Sequence, residues 1–551
     1  MEDFPWLSVL IAVPAVGALL VALLPRARES LVKQVALAVS LLVAAGTIAM
    51  ASGFETGGPR FQFAERYWWI RQFGVHWAVG VDGVALVLIL LSVVLVPLVI
   101  LASWNEADRS GGVGVPAKRS VNTYFALLLT MEAMMIGVFA ATDVFLFYVF
   151  FEAMLIPAYF LIGSYGGAQR SYAAVKFLLY SLLGGLLMLV AVIWLYPLSA
   201  ASPSEGGLGR GTFLFTELTR LDIDPTTAKW LFLAFFVAFA IKAPMVPVHT
   251  WLPDAAQQAP PGALVLIVGV LDKVGTFGML RFCLELFPGA AEWATPVVLG
   301  FAVLSVIYGA VLAIGQVDLK RLVAYTSVSH FGFIVLGVFA MTSQAQSGAA
   351  LYMVNHGFST GAMFLLVGFM IVRRGSARID DYGGVQKVAP VLAGTFLVAG
   401  LSSLSLPGLS PFVSEFLVFT GTFSRYRVPA VIATVGIVLA AIYILWMYQR
   451  TMGGPLRIPS GARDGGAALA GGSGAPPQND AVEAARDFPD LSGREKWVIG
   501  PIIAIIVVMG FFPQPVLNVI KPSVEQTLVR VDQRDPAPEI AGTAVENGAR
   551  P

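Results

Sequence analysis

Long apolar runs separated by short polar segments make up most of this chain. A run of about 20 apolar residues is long enough to cross the hydrocarbon core of a bilayer as a helix. Counting such runs predicts about fourteen spanning helices and an all-α polytopic membrane protein. We number them spans 1 to 14, centred on residues 6–25, 33–52, 80–103, 120–141, 143–164, 171–197, 229–256, 260–286, 294–315, 321–341, 347–372, 388–423, 428–450 and 497–519.

Two of these spans are interrupted by proline. Span 7 contains FAIKAPMVPVHTWLPDAA, in which Pro244 and Pro247 closely follow Lys242, and span 12 contains LSSLSLPGLSPFVSEF, with Pro407 and Pro411. Proline removes a backbone donor and clashes with the preceding turn, so both helices should break. At membrane depth a break is tolerated only when it is buried in protein or lines a wet cavity, and in transporters broken helices mark the ion path.

The two breaks belong to a weak internal repeat. Residues 173–190 resemble residues 349–367, and the broken spans recur five helices apart. Successive units of five helices must point in opposite directions across the bilayer. The sequence therefore predicts two inverted five-helix repeats, spans 4–8 and spans 9–13, which is the architecture of secondary transporters.

This repeat defines the predicted division of the chain, because the segments outside it differ in composition. Residues 451–496 are rich in Gly, Ala, Pro and charge, which predicts a flexible cytoplasmic loop. The predicted segments are 1–119 with spans 1–3, 120–286 with the first repeat, 287–450 with the second repeat, the loop 451–496, the last span at 497–520, and a polar C-terminal tail at 521–551.

Basic residues predict the orientation in the membrane. They cluster in the loops after spans 1, 3 and 11 and before span 10. These residues are Arg26, Arg28, Lys33, Arg109, Lys118, Arg119, Lys320, Arg321, Arg373, Arg374, Arg378 and Lys387. Such loops lie on the cytoplasmic side. Both termini are then expected on the outer side.

Composition narrows the possible functions. The chain is 57% hydrophobic and 13% charged, with a formal net charge of +1, so nothing in it indicates a nucleic-acid partner. A single cysteine, Cys283, excludes a disulfide framework and an iron–sulfur or zinc site built from several cysteines of this chain. No Rossmann fingerprint is present, so we expect no bound cofactor and no metal in this chain.

Ionisable residues occur inside several spans. They are Glu152 in span 5, Lys242 in span 7, Lys273 in span 8, His330 in span 10, His356 in span 11 and Glu415 in span 12. A charge at mid-helix costs about 2.5–3.5 kcal/mol on the insertion scale, so such residues usually have a function. Their order through both repeats suggests a lateral proton path. The alternative is a set of buried pairs that only hold helices together.

Three further ionisable residues have open interpretations, and a fourth is expected in a loop. Glu132 either feeds Glu152 or serves packing or a buried pair, and His249 either relays protons or caps the second half of span 7. Asp272, which directly precedes Lys273, can alter the relay only if its side chain reaches it. His76 is expected in an exposed loop.

Several long motifs, in order, resemble one family. They are EAMLIPAYFLIG, KAPMVPVHTWLPDA, DLKRLVAYTSVSHFGF, VNHGFSTGAMFLLVG and LPGLSPFVSEFLVFTGTF, and the resemblance covers about residues 80–450. These stretches resemble the antiporter-like subunit M of respiratory complex I, the NADH-quinone oxidoreductase.

This resemblance implies a function and a role for each buried charge. Glu152 and Lys242 would be the essential pair and Lys273 the central relay. His330 and His356 would connect Lys273 to Glu415, the terminal acid. The chain would be a proton-translocating subunit of a bacterial inner-membrane enzyme.

The resemblance also implies partners. The neighbours would be the antiporter-like subunits L and N, surrounding lipids and, indirectly, the peripheral arm. NADH, FMN, iron–sulfur clusters and quinone would belong to partner subunits, since this chain carries no redox site. Two alternatives stay open at this point. One is a subunit of an Mrp-like cation/proton antiporter, in which lysine is expected at position 415. The other is a scaffold subunit, for which neutralising Glu152 would leave pumping intact.

Overall fold

The computed structural model describes residues 4–107, 119–457 and 488–537. Parts of the predicted segments 451–496 and 521–551 lie outside the described residues. The first part of the chain contains α1 (Trp6–Leu23), α2 (Glu29–Ala51), β1 (Gln62–Ile70), β2 (Val75–Val81), α3 (Gly83–Ala102), α4 (Val121–Ala140), α5 (Val144–Ala153), α6 (Leu155–Tyr165), α7 (Arg170–Ala200) and α8 (Phe215–Leu218).

The remaining helices form the middle and the end of the chain. The middle contains α9 (Pro225–Lys242), α10 (Trp251–Gln258), α11 (Pro261–Leu266), α12 (Lys273–Gly278), α13 (Leu284–Leu286), α14 (Pro288–Ile314), α15 (Leu319–Phe339) and α16 (Ser343–Arg374). The last part contains α17 (Pro390–Ser403), α18 (Ser410–Arg425), α19 (Arg427–Ala433), α20 (Val435–Met452), α21 (Gly493–Phe511) and α22 (Gln514–Arg530).

The helices confirm the predicted fold class. In the described part of the chain, 12 helices are long and apolar enough to cross a membrane, or up to 14 if each bent pair is one span. Both predicted breaks are present, between α9 and α10 and between α17 and α18. The proline-rich segments therefore interrupt the helices where the sequence predicts.

Burial divides the spans into an inner and an outer group. The spans Pro261–Leu286 and Ser343–Arg374 are 100% buried over their apolar windows, and Leu319–Phe339 is 94% buried. By contrast, Glu29–Ala51 is only 28% buried, and its outer face carries exposed residues such as Leu41, Leu42 and Ile48. An apolar exposed face is typical of a helix in contact with lipid. The inner spans are shielded from lipid and can hold polar groups.

A β-hairpin precedes α3, where the sequence predicted only a loop and a longer span. Strands β1 and β2 pair antiparallel, and His76 lies in β2 with only 3% of its surface exposed. The expectation of an exposed His76 is therefore wrong. The hairpin is anchored by Glu65, whose carboxylate accepts from the backbone nitrogen of Leu7 at 2.8 Å, and by Asp143, which accepts from the backbone nitrogen of His76 at 3.0 Å.

The predicted span 8 is not a regular helix. Two π-helical segments, Ile267–Leu271 and Met279–Cys283, separate α11, α12 and α13. In the first of them the backbone nitrogen of Asp272 bonds the Ile267 carbonyl at 3.1 Å, five residues back. Such a bulge is not visible in hydrophobic periodicity, because it changes the register without changing the composition.

The C-terminal region also differs from the prediction. A polar tail was expected from residue 521, but the chain continues as α22 to Arg530, bent by 70° from α21. The bend lies at Pro513, and the apolar residues Leu517, Ile520 and Val524 of α22 are buried in a helix that packs on α3 and α16. Only a narrow face of α22 is apolar, so the sequence of this segment lacks the continuous apolar run of a membrane span.

Gly83 controls how closely α22 approaches α3. A Cβ at this position would stand 1.8 Å from the Val519 carbonyl oxygen, a backbone atom that moves only if α22 moves. We expect Gly83→Ala to destabilise the protein by about 1–3 kcal/mol through overpacking and to expose α22 to protease. Gly289→Ala is the matched control, since nothing lies within 4 Å of its new Cβ. Thermal unfolding and limited proteolysis measure both effects, and equal stability of the two variants would contradict the packing described.

Candidate functional site

The first broken helix ends in a charged residue at its buried tip. Helix α9 stops at Lys242, and α10 begins at Trp251. The indole nitrogen of Trp251 donates to the Ile241 carbonyl at 2.8 Å, and the backbone nitrogen of Val246 donates to the Ser305 hydroxyl at 3.0 Å. Protein groups thus satisfy backbone atoms that the break leaves free, as burial away from water requires.

Lys242 is buried in an aromatic pocket. Its side chain is 0% exposed, and its Nζ has no hydrogen-bond partner in the described part of the chain. The ammonium group lies 4.9 Å from the ring centre of Phe151 and 5.8 Å from that of Phe177. Cation–π attraction offsets part of the desolvation but leaves all three hydrogens of the ammonium group unbonded.

Glu152 faces this lysine from α5. The carboxylate and the ammonium group attract each other electrostatically, although no direct ion pair joins them. The Oε1 atom of Glu152 is buried without a hydrogen-bond partner in the described residues. It lies against Gly185 of α7, where a Cβ would stand 1.6 Å from Oε1. Gly185 therefore creates the space that the carboxylate occupies.

Lys273 occupies the centre of the site. It begins α12, directly after the first π-helical segment, and is 0% exposed. Its Nζ donates to the Val268 carbonyl of that segment and lies 2.7 Å from Nδ1 of His356 on α16. When Lys273 is charged, Nδ1 must accept, so the remaining proton of a neutral His356 is on Nε2.

Aromatic and imidazole rings continue the chain of polar groups away from Lys273. The ring centres of His356 and His330 are 5.2 Å apart in an edge-to-face arrangement, and those of His330 and Tyr352 are 5.9 Å apart. His330 and Tyr352 are buried, on α15 and α16 respectively. The three rings therefore span the distance from the centre of the site to the second broken helix.

Glu415 lies beside the second break. It is on α18, and its Oε2 accepts from the hydroxyl of Tyr352 at 2.9 Å and from the hydroxyl of Ser405 in the break. Asn355 of α16 donates to the Ser410 carbonyl at 2.7 Å, where α18 begins. The first turns of α18 thus present both a carboxylate and a backbone carbonyl as acceptors to α16.

The structure brings the six predicted residues, five of them buried and Glu152 half-buried, into one series, which we call the central path. It consists of Glu152, Lys242, Lys273, His356, His330 and Glu415. Tyr352, whose side chain bridges His330 and Glu415, is not among the residues predicted from the sequence. A signal was available, because Tyr352 precedes His356 by four residues and so lies on the same face of α16.

Two residues with open interpretations are now better defined. Glu132 is 0% exposed, both its oxygens lack a hydrogen-bond partner, and no charged group influences it in the described part of the chain. It is therefore not electrostatically linked to Glu152. His249 makes no side-chain cap of α10 and packs edge-on against Tyr308, with ring centres 5.2 Å apart. The capping interpretation is wrong.

A separate cavity of about 220 Å³ lies at the start of α11. Its wall includes Glu106, whose carboxylate accepts from the Tyr124 hydroxyl at 2.7 Å and from the Gly262 nitrogen at 3.2 Å. Burial raises the pKa of Glu106 above its ordinary value. Lys320, also in the wall, donates to the Ala259 carbonyl at 3.1 Å. The cavity thus combines an acid and a base at the end of the inner spans.

Within the described ranges, no group of three or more His, Cys, Asp and Glu side chains is arranged to hold a metal ion. The chemistry that the site offers is proton transfer among acids, amines, imidazoles and a phenol.

Comparison with known proteins gives a consistent set of relatives. A family model described as NADH:quinone oxidoreductase/Mrp antiporter, transmembrane, matches residues 141–440. The chain is 48% identical over 575 aligned residues to NADH-quinone oxidoreductase subunit M of Mycobacterium tuberculosis (strain ATCC 25618 / H37Rv), covering 100% of this chain and 98% of that relative.

Solved structures show the same fold. A chain of respiratory complex I from Thermus thermophilus with bound NADH matches with a TM-score of 0.80 and 31% identity, over 95% of this chain and 99% of that one. A chain of the Mrp complex from Dietzia sp. DQ12-45-1b matches with a TM-score of 0.75 and 19% identity, over 94% of this chain and 52% of that one. At this lower identity the Mrp likeness establishes a shared fold alone.

Gly185 offers a direct test of the site geometry. We expect Gly185→Ala to displace the Glu152 carboxylate, because the new Cβ would overlap Oε1. The rate at which a hydrophobic carbodiimide labels Glu152, followed by mass spectrometry of the labelled peptide, should change several-fold. Gly300→Ala in α14 is the control, since its Cβ meets nothing within 4 Å. Labelling that is identical in both variants and the unmodified protein would show that Glu152 lies elsewhere.

Proposed function

Because this chain belongs to the subunit M family of NADH-quinone oxidoreductases, we propose a route by which its buried side chains carry protons. As a member of that family the chain is an antiporter-like, proton-translocating membrane subunit of complex I, and it is part of a multi-subunit assembly. The Mrp-antiporter alternative is weaker, because the family model covers both classes of protein, whereas the relatives of 48% and 31% identity belong to NADH-quinone oxidoreductases and the Mrp chain is only 19% identical.

The observation that carries the proposal is the continuity of the central path. Glu152 lies within electrostatic range of Lys242, Asp272 interacts with both Lys242 and Lys273, and Lys273 connects through the two imidazoles and Tyr352 to Glu415. Ionisable groups buried at membrane depth are retained at a high energetic cost, which supports a functional role over a purely structural one.

Protons enter, in this proposal, through the cavity that contains Glu106 and Lys320. The cavity lies among the basic loops that the positive-inside rule assigns to the cytoplasm. The Nζ of Lys273 bonds the Val268 carbonyl and so points along its own helix toward the end where the cavity lies. The incoming proton loads the central lysines, Lys242 and Lys273, from this side.

The pair of Glu152 and Lys242 sets the charge state of the path. Their mutual attraction stabilises the ammonium form of Lys242, and any movement that separates them weakens it. A charge moved against the membrane potential requires about 2.3 kcal/mol for every 100 mV. One pKa unit corresponds to about 1.4 kcal/mol, so each 100 mV requires a change of about 1.7 pKa units. Loss of a buried carboxylate partner produces shifts of this size.

Transfer then proceeds along the connected rings. Lys273 gives a proton to Nδ1 of His356, and His356 releases its Nε2 proton toward His330. From His330 the Tyr352 hydroxyl leads to Glu415, the exit acid. Imidazole can accept a proton at one ring nitrogen and release one from the other, so neither ring needs to carry a lasting charge.

The remaining components of the reaction belong, in this proposal, to partner subunits. NADH, FMN, iron–sulfur clusters and quinone are bound there, and quinone reduction is coupled to this chain through its interfaces. The immediate neighbours are the antiporter-like subunits L and N, and the assembly lies in the bacterial inner membrane. The single cysteine of the chain supports this division of labour.

Neutralising Glu152 tests the path as a whole. In membranes that contain the assembled complex, we expect Glu152→Gln to lower NADH-driven proton uptake and coupled quinone reduction by about a hundredfold, because Lys242 loses its partner. Glu132→Gln is the control, since Glu132 is a fully buried carboxylate without a charged neighbour in the described residues. Normal pumping by Glu152→Gln would refute the path and favour the scaffold alternative.

Tyr352 tests the connection to the exit. Tyr352→Phe removes the hydroxyl that bonds Glu415 at 2.9 Å, a hydrogen bond to a charged group worth about 1.5–3 kcal/mol. We expect proton uptake to slow by roughly tenfold or more. Tyr443→Phe provides the comparison, because the buried Tyr443 hydroxyl has no partner in the described residues. Equal rates in the two variants would remove Tyr352 from the route.

A further inference from the structure

Asp272 is a buried carboxylate that the central path does not yet include. Its side chain is 0% exposed, and neither of its oxygens has a hydrogen-bond partner in the described part of the chain. A buried polar group without a partner is destabilising, and a buried carboxylate strongly so. Such a group needs an explanation, and packing alone does not supply one.

The backbone around Asp272 is unusual. It follows the π-helical segment Ile267–Leu271 and directly precedes Lys273. The Val268 carbonyl of that segment accepts from the Lys273 ammonium group, which also contacts His356. Lys273 thus directs its amine toward α16, away from a direct bond with its neighbour. π-Helical bulges occur often at functional sites, where they reorient side chains.

Asp272 interacts electrostatically with both lysines of the central path. It attracts Lys273 on its own span and Lys242 at the end of α9. Helix α9 approaches closely here, since a Cβ on Gly275 would stand 2.6 Å from the Phe239 carbonyl oxygen. Neither lysine amine has a hydrogen bond to the other, and the carboxylate is the charged group that both share.

The order of charges supports an active role. Glu152, Lys242, Asp272 and Lys273 form an alternating series of acid and base. Asp272 is the carboxylate that interacts with both ammonium groups where α9 and α12 are in close contact. An acceptor is what a proton leaving an ammonium group requires.

We propose that Asp272 is the proton-transferring group between Lys242 and Lys273, a proposal that rests on the proposed function above. Through a bridging water, an N–H bond of the Lys242 ammonium breaks and an O–H bond forms on Asp272, which leaves a neutral amine and a neutral carboxylic acid. After Lys273 has released its own proton to His356, Asp272 gives its proton, again through a bridging water, to the free amine of Lys273. The carboxylate is restored, and atoms and charges balance at each step.

The test uses the complete complex in native membranes, with activities normalised to the amount of assembled enzyme. We expect Asp272→Asn to lower NADH-driven proton uptake and coupled quinone reduction by about a hundredfold, the typical effect of removing an acid–base group. Asp272→Glu, which keeps the carboxylate, should recover most of the activity. Glu132→Gln, a buried carboxylate without a lysine in range, should pump at close to the normal rate.

Several outcomes would overturn the proposal. One is normal pumping by Asp272→Asn, and another is failure of Asp272→Glu to recover any activity in a well-assembled complex. If both Asp272→Asn and Asp272→Ser prevent assembly, the residue is structural and the proposal also fails. Measuring Glu152→Gln in parallel distinguishes failure of the Asp272 proposal from failure of the proposed function. If it abolishes pumping while Asp272→Asn does not, the central path stands without Asp272, and if neither has an effect, the proposed function itself is refuted.

Discussion

Removal of ionised side chains from water is the constraint on which the rest of this structure depends. Each charge on the central path must be compensated inside a medium that offers few dipoles. The protein meets this need with carboxylates near amines, with aromatic faces over Lys242 and with a free carbonyl for Lys273. Few of these charged groups use all of their hydrogen-bonding capacity. Groups that are fully bonded hold their protons firmly, whereas groups with incomplete bonding can change protonation state when their surroundings move.

The architecture follows from the same constraint. Polar groups occur on spans that other helices surround, and the most exposed spans have apolar outer faces. Helix interruptions supply what regular helices lack, namely unpaired carbonyls and an end at which a side chain can point into the interior. Glycine allows the necessary close approach, most clearly at Gly185, which leaves room for the Glu152 carboxylate. Residues that break a helix, or that leave space on its surface, therefore provide hydrogen-bond partners and room for the charged groups.

Much of this arrangement could be predicted from the sequence, and the failures have physical causes. Proline positions and apolar run lengths indicated both breaks and the number of spans. The residues of the central path were recognised because a charge inside an apolar run is conspicuous. The π-helical segment before Asp272 was missed, since an inserted residue leaves hydrophobicity unchanged. The hairpin before α3 and the helix α22 were missed because their short, mixed patterns depend on tertiary contacts, such as Glu65 with the start of α1. The division of the chain into segments at particular residues remains a prediction.

The bond between Lys273 and His356 has a mechanical consequence. Lys273 belongs to the first predicted repeat and His356 to the second, so this contact of 2.7 Å joins the two predicted repeats. Hydrogen bonds weaken steeply beyond about 3.2 Å. Packed helices can slide by about 1 Å against each other. Such a movement would break the hydrogen bond between Lys273 and His356 without changing the structure of either side. At the contact between the two predicted repeats, a motion of about an ångström would therefore switch proton transfer from Lys273 to His356 on or off.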